Sequence, residues 1–371
     1  MKPPAAAKTI LHVIDTTGPG GAETVFIELA ARLQARGHRS VVLIRGPGWV
    51  HDQLIARGLT PYIYDAKGSF NWRFLREMLR IIHSENVDVI QSHLLGSNVY
   101  CAIAGLLSAK PVIATFHGMV DVGPTERLRW LKLGLMNRGV KRFVAVSKNL
   151  RDAIHQEGLL DPSKCDIIYN GVDLSRYGRK DSRELRERLK VSHDAILIGS
   201  LGNVRPAKGY DLLIKAASIV VKAFPQAHFV IAGDPKSSLQ KQLNELVVQL
   251  GLTEHVHFIG FCNDSANYLA QLDYFLLTST SEGLSIATIE ALATGLPAMV
   301  TRCGGPEEIV TADEDALMVA ADAQAIAEGL LKLLSDRALS ERLAACARKH
   351  VAEKFDMNSM LVQYERLYLS E

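Results

Sequence analysis

Short runs of consecutive apolar residues alternate along this chain with longer stretches whose apolar positions recur every three or four residues. Ile10–Ile14 is the first such run and predicts a strand. Ala22, Val25, Phe26, Leu29, Ala30 and Leu33 follow at helical spacing, and Gly37 ends that helix. Ser40–Ile44, Val87–Gln91, Pro111–Thr115 and Arg142–Val146 predict further strands. Residues 174–194 are polar, and then the rhythm restarts. Ala195–Ser200 reads as a strand, Gly209–Lys222 as a helix, His228–Ala232 as a strand and Leu239–Leu250 as a helix. Val256–Ile259, Tyr274–Thr278 and Ala298–Thr301 complete the strands. Apolar strands separated by amphipathic helices imply parallel sheets covered on both faces. The pattern therefore predicts two α/β units with a boundary at 170–195. Phe355–Ser370 predicts a terminal helix whose Met360, Tyr364, Leu367 and Tyr368 need a surface to pack on.

The length of 371 residues agrees with two domains, and 48% hydrophobic with 22% charged residues excludes a disordered or fibrous chain. The net charge of +2 gives no general nucleic-acid footprint. Divided, it is +6 over residues 1–175 and −4 over 176–371, and residues 101–150 hold 8 basic residues against 2 acidic. An anionic partner should meet the first half. The five cysteines, Cys101, Cys165, Cys262, Cys303 and Cys346, are scattered with no CxxC, as expected for reduced thiols in the cytoplasm. The apolar run near the N-terminus soon meets Asp15, which suits a first strand better than a signal peptide. No stretch approaches the ~20 apolar residues of a spanning helix, so the expectation is a soluble chain or one that touches a membrane from one side.

Ligands of doubly wound sheets bind beyond the carboxyl ends of the strands. Gly18-Pro19-Gly20-Gly21-Ala22-Glu23 stands there after the first strand. Its glycines allow close backbone approach to a phosphate at a helix N-terminus, but Glu23 replaces the last glycine of a dinucleotide fingerprint. After Ala195–Ser200 comes Gly202-Asn203-Val204-Arg205-Pro206-Ala207-Lys208-Gly209, whose Arg205 and Lys208 suit a diphosphate; Gly209 stands where a P-loop needs Ser or Thr. Ser281-Glu282-Gly283-Leu284-Ser285-Ile286-Ala287-Thr288-Ile289-Glu290 sets two carboxylates across a helix start with seven residues between them. The amides around Gly283–Ile286 are an anion site, Glu290 suits ribose hydroxyls and Glu282 suits sugar hydroxyls. Each motif also has a structural reading: a Gly-rich turn, a solvated basic turn, a capping arrangement. His117 and His93 follow strands and are also readable as satisfied core residues, His93 more so than His117. Asp313-Glu314-Asp315 offers a superficial metal pair without further ligands, so no metal site is expected.

These motifs resemble those of the retaining glycosyltransferases of family four. They are GPGGAE at 18–23, FHG at 116–118, VS at 146–147, NGVD at 170–173, the Arg205/Lys208-Gly209 loop, SEGLSIATIEALATGLP at 281–297 and GGPEEIV at 304–310. The resemblance implies the GT-B fold: two Rossmann-like doubly wound domains facing a central cleft. Their expected bounds are 1–175 for the acceptor and 176–354 for a nucleotide sugar, with 355–371 returning to the first domain. By the same resemblance, Arg205 and Lys208 bind the donor diphosphate and Glu290 the ribose. Glu282 and the amides of Gly283, Leu284 and Ser285 hold the transferred sugar. His117 lies against that sugar, and Gly20 and Gly21 close on the diphosphate. No cofactor or metal is implied, and Arg205, Lys208 and helix dipoles replace a divalent cation. Transfer is expected by same-face attack, with the departing diphosphate taking the acceptor proton. UDP is preferred over GDP, and the acceptor is a glycan or lipid-linked sugar of surface polysaccharide, lipopolysaccharide or glycolipid synthesis. A sugar-nucleotide 2-epimerase and a non-catalytic nucleotide-sugar-binding protein remain as alternatives.

Residues 124–142 form a basic amphipathic helix candidate. Leu128, Leu131 and Leu135 share a face, Trp130 and Leu133 broaden it, and Arg127, Arg129, Lys132, Arg138, Lys141 and Arg142 surround it. It suits an anionic membrane surface, and equally a core-facing helix with a solvated side.

Overall fold

The computed structural model describes residues 7–65, 70–118, 128–158, 160–180, 182–235 and 237–369. The chain forms two compact units, Met1–Gly171 with Asn358–Glu371, and Val172–Met357. In the first, β1 (Thr9–Ile14), β2 (Arg39–Ile44), β3 (Tyr62–Ile63), β4 (Val89–His93), β5 (Val112–Phe116), β6 (Arg142–Ala145) and β7 (Cys165–Ile167) make a parallel sheet. Its order is β3-β2-β1-β4-β5-β6-β7. In the second, β8 (Ile196–Leu201), β9 (Ala227–Ala232), β10 (Val256–Gly260), β11 (Tyr274–Leu277), β12 (Ala298–Thr301) and β13 (Leu317–Val319) are ordered β10-β9-β8-β11-β12-β13. Chain order reverses between β1 and β4 and again between β8 and β11. At each reversal the outgoing loops diverge and leave a crevice at the carboxyl edge.

The central strands are buried on both faces, which is why they read as unbroken apolar runs. Ile10, Leu11, Val13 and Ile14 of β1 are at most 1% exposed, and Ile10 pairs with Ser40 on one side and Val89 on the other. Phe26, Phe116 and Phe143 fill the first core, Phe229 and Phe275 the second. The edge strands β3, β7 and β13 are two or three residues long, too short to show any period in sequence.

The polar stretch 174–194 is docked on the second unit. Leu185 N donates to Gln271 Oε1 at 2.8 Å, Arg186 pairs with Asp273 at 2.6 Å, and Arg179 donates to the Leu272 carbonyl. The terminal helix runs Met357–Leu369, and Met360, Tyr364 and Tyr368 are buried. Phe355 is also buried but lies before it, at the end of the preceding helix Arg337–Lys354.

Residues 124–127 of the basic segment lie outside the described residues. From Arg129 to Gly139 the segment is helical, and its inward residues are Leu133 and Met136. Leu128, Trp130 and Leu131 face outward, at 54%, 69% and 42% exposure. This corrects the division of faces: Leu128 and Leu131, expected beside Leu135 on one apolar face, are exposed.

Gly139 ends that helix in backbone contact with helix Leu95–Ser108. A Cβ there would stand 2.2 Å from the Ala102 carbonyl oxygen. At Gly134 of the same helix a Cβ would meet only Arg138 Nη1, at 3.9 Å. Gly134→Ala is therefore expected to stabilise by about 0.5–1 kcal/mol, the ordinary helix gain. Gly139→Ala is expected to destabilise by about 1–3 kcal/mol through overpacking. Urea midpoints of the two variants should move in opposite directions.

Candidate active site

The loops after β8 and β11 flank the second reversal and are tied by backbone. Thr280 N donates to the Ala207 carbonyl at 2.8 Å, and Thr278 Oγ1 to the Lys208 carbonyl at 2.9 Å. Gly209 takes φ +61°, and a Cβ on it would come within 2.2 Å of the Thr278 carbonyl oxygen. Only glycine allows that approach in the left-handed region. Lys208 ends the 3-10 turn Pro206–Lys208 and lies across Gly202, where a Cβ would stand 2.7 Å from its Cε. Its Nζ meets Glu282 Oε1 at 2.6 Å, and Ser279 Oγ donates to the same oxygen at 2.6 Å. The loop after β12 closes behind: Glu282 N donates to the Cys303 carbonyl at 3.3 Å, and Gly305 packs on Glu282 and Gly283. Arg205, in the same turn as Lys208, is exposed and makes no ion pair among the described residues.

Ser285 caps helix Ile286–Thr294, its Oγ accepting from Thr288 N at 3.3 Å, and Gly295 ends the helix at φ +81°. Among the described residues no carbonyl accepts from the amides of Gly283, Leu284, Ser285 or Ile286. A row of free amides at a helix start is a site for negative charge. Glu290 lies within this helix and is buried. Tyr177 Oη donates to its Oε1 at 2.6 Å and Ser265 Oγ at 3.3 Å. Burial raises its pKa above the ordinary 4.5, and the two hydroxyls oppose that rise. Glu290 is thus a buried carboxylate with both described bonds on one oxygen. Tyr177 and Ser265 come from distant parts of the chain, and nothing in their local sequence marks them as its partners.

Lys208, Glu282, Gly283, Leu284 and Ser285 form one contiguous group with Arg205 beside it, while Glu290 stands deeper on the helix. The remaining predicted residues belong to the first unit. Gly20 precedes helix Gly21–Ala35, and the Glu23 side chain folds over it, so that a Cβ on Gly20 would stand 2.2 Å from Glu23 Oε2. His117 follows β5, and its Nε2 lies 2.8 Å from His93 Nδ1. Burial holds both imidazoles neutral, that of His117 pushed down to about 3. The sequence left His93 between a core and a site role; it is the direct partner of His117. Asp315, of the acidic triplet, turns inward to His350 Nδ1 at 2.5 Å.

Comparison with known proteins gives the family and the fold. The family model for Glycosyltransferase Family 4 matches residues 19–176, and that for Glycosyl transferases group 1 matches residues 181–350. The chain belongs to the family-four, group-1 glycosyltransferases. It is similar to the N-acetyl-alpha-D-glucosaminyl L-malate synthase of Bacillus anthracis, 26% identical over 94% of this chain and 93% of that protein. It is also similar to the UDP-Gal:alpha-D-GlcNAc-diphosphoundecaprenol alpha-1,3-galactosyltransferase of Escherichia coli, 24% identical over 80% and 78% of the two chains. The fold is GT-B. The crystal structure of Anabaena Alr3699/HepE in complex with UDP and glucose superposes with a TM-score of 0.89 at 22% identity, over 98% of this chain and 100% of that one.

The buried carboxylate has a cost that can be measured. A group whose folded pKa is raised supports the fold below its unfolded pKa and loses that support as pH rises through its folded pKa. Glu290→Gln keeps an oxygen for Tyr177 and Ser265 and removes the charge. It is expected to be more stable than wild type at pH 7. The difference should vanish as pH falls below 4.5, which urea titrations across that range will show.

Proposed function

We propose that this protein is a retaining glycosyltransferase that moves a sugar from a UDP-sugar to a glycan or lipid-linked acceptor in surface polysaccharide, lipopolysaccharide or glycolipid synthesis. The observation that carries the reading is the pair of backbone-tied loops at the β8/β11 reversal. They bring Lys208 onto Glu282 beside free helix-start amides, with Glu290 behind them. Arg205, Lys208 and those amides meet the diphosphate and the charge that grows on it as it leaves. That set of positive groups supports transfer without a divalent ion. Glu290 accepts from ribose hydroxyls, and Glu282 from hydroxyls of the transferred sugar. The first unit serves the acceptor, with His117 assigned to the reacting sugar and Gly20 and Gly21 to the diphosphate. Among the described residues no carboxylate is assigned as a covalent nucleophile. The acceptor oxygen therefore attacks the face the diphosphate leaves, and a diphosphate oxygen takes its proton. The substrates named for the E. coli relative support UDP over GDP and a lipid-diphosphate acceptor.

The same reading places the first unit on anionic lipid. Leu128, Trp130 and Leu131 are exposed beside Lys132, and Leu106 and Leu107 are exposed on the neighbouring helix Leu95–Ser108. A concavity of about 790 Å³ adjoining Leu106 is lined by Lys8, Lys110, Arg138, Lys141 and Lys164, with Asp88 the acid among them. Apolar side chains within a cationic field suit an anionic interface. Among the described residues no helix is long and apolar enough to cross a membrane.

Lys208→Ala and Glu290→Ala are each expected to lower turnover of the donor by roughly 10²–10³-fold while circular dichroism stays unchanged. Near-normal turnover in both would overturn the site assignment. A thermal-shift panel of UDP, GDP and ADP should show stabilisation by UDP. Flotation with anionic vesicles should show binding that falls with salt, and its absence would remove the membrane reading.

A further inference from the structure

A buried polar chain runs through the first unit and reaches His117. It begins on the terminal helix, where Tyr368 Oη donates to Gln91 Oε1 at 2.9 Å. The Gln91 amide nitrogen donates to Thr115 Oγ1 at 2.9 Å and lies 3.3 Å from both the Ser92 carbonyl oxygen and His93 Nε2. Tyr364 Oη, one helical turn before Tyr368, lies 3.2 Å from Thr115 Oγ1. Gln91, His93, Thr115 and Tyr364 are at 0% exposure, and Tyr368 at 4%. A carboxamide in the middle of a buried central strand is costly unless each of its groups finds a partner. The Gln91 nitrogen has two hydrogens for these three neighbours, and Thr115 Oγ1, the nearest, takes one of them.

The Ser92 carbonyl only accepts, so the Gln91 atom beside it is the nitrogen. An amide nitrogen accepts nothing, so an Nε2–H aimed at it would be a buried donor without an acceptor; Nε2 is therefore the bare nitrogen and the His93 proton is on Nδ1. His93 Nδ1 then donates across the 2.8 Å contact to His117 Nε2, which leaves the His117 proton on Nδ1. Both rings are neutral, so the variable that the chain controls is the position of a proton and not a charge.

We propose that Gln91, clamped by Tyr368 of the terminal helix, is a positioning residue that selects the Nδ1–H tautomer of His93 and, through it, of His117. Its consequence for transfer rests on the role given to His117 under Proposed function; the tautomer itself does not.

The test uses the full chain labelled with ¹⁵N-histidine. Long-range ¹H–¹⁵N spectra report which ring nitrogen is protonated, and His93→Gln and His117→Gln spectra assign the signals. Wild type should show Nδ1–H for both rings between pH 6 and 8. Gln91→Met should give mixed tautomers at both. Tyr368→Phe removes one hydroxyl and frees the carboxamide to rotate, so it should double the His93 signals, which keeps the test open if Gln91→Met does not fold. With UDP-glucose as donor, Gln91→Met should lose about tenfold in kcat with KM little changed, the size expected of one misdirected hydrogen bond. An Nε2–H tautomer of His117 in wild type, or tautomers unchanged in the variants, would overturn the inference. Failure of wild type to turn over any UDP-sugar would tell against the transferase reading alone, because the spectra need no substrate.

Discussion

The parallel pairing of β8 with β9 on one side and β11 on the other governs the candidate site. Parallel strands all point the same way, so the loops that follow β8, β11 and β12 emerge at one edge of the sheet. Three short backbone contacts then hold those loops together: Thr280 to Ala207, Gly209 beneath the Thr278 carbonyl, and Gly305 against Gly283. The charged groups come afterwards. Lys208 reaches Glu282 because the turn that bears it is already tied to the strand that precedes Glu282. A side chain larger than hydrogen at position 209 would separate the loops, and with them the cation and the carboxylate.

Ionisable groups in both units are held where water is scarce, and each is steadied by hydrogen bonds. Glu290 is supported by two hydroxyls, and Glu282 by Lys208 and the Ser279 hydroxyl. His117 and His93 are supported by one another. Burial makes such groups expensive for the fold, and it strengthens their action on any polar ligand they face. The buried carboxylate of Glu290 is the group in the second unit whose charge burial opposes and two hydroxyls support.

The sequence showed the architecture well because every central strand is buried on two faces. Ile10–Ile14 and Ala298–Thr301 are legible as unbroken apolar runs, whereas Leu317–Val319 at an edge is not. The loop motifs were legible because glycine and proline mark turns: Gly209 and Gly295 stand where positive φ is needed. Partners brought from far along the chain were not legible. Tyr177 reaches Glu290 across 113 residues and Tyr368 reaches Gln91 across 277, and no local pattern announces either. The outward faces of Leu128 and Leu131 were misjudged because helical spacing alone does not say which stripe meets a neighbour. Contact with helix Leu95–Ser108 settles that in favour of Leu133 and Met136.

The chain leaves the first unit at Gly171 and returns at Asn358, and the two crossings are bonded to each other. Val172 N donates to the Phe355 carbonyl at 2.9 Å, and Met357 N to the Val172 carbonyl at 3.2 Å. The second unit is therefore an insertion with adjoining ends, while the first is discontinuous. On a ribosome the first sheet emerges early, yet Gln91 and Thr115 lack their tyrosine partners until the last helix has been made. At about 5–20 residues per second, synthesis of the insertion delays that helix by roughly ten to forty seconds. Of the two units, the one begun first is completed only after the other has been made.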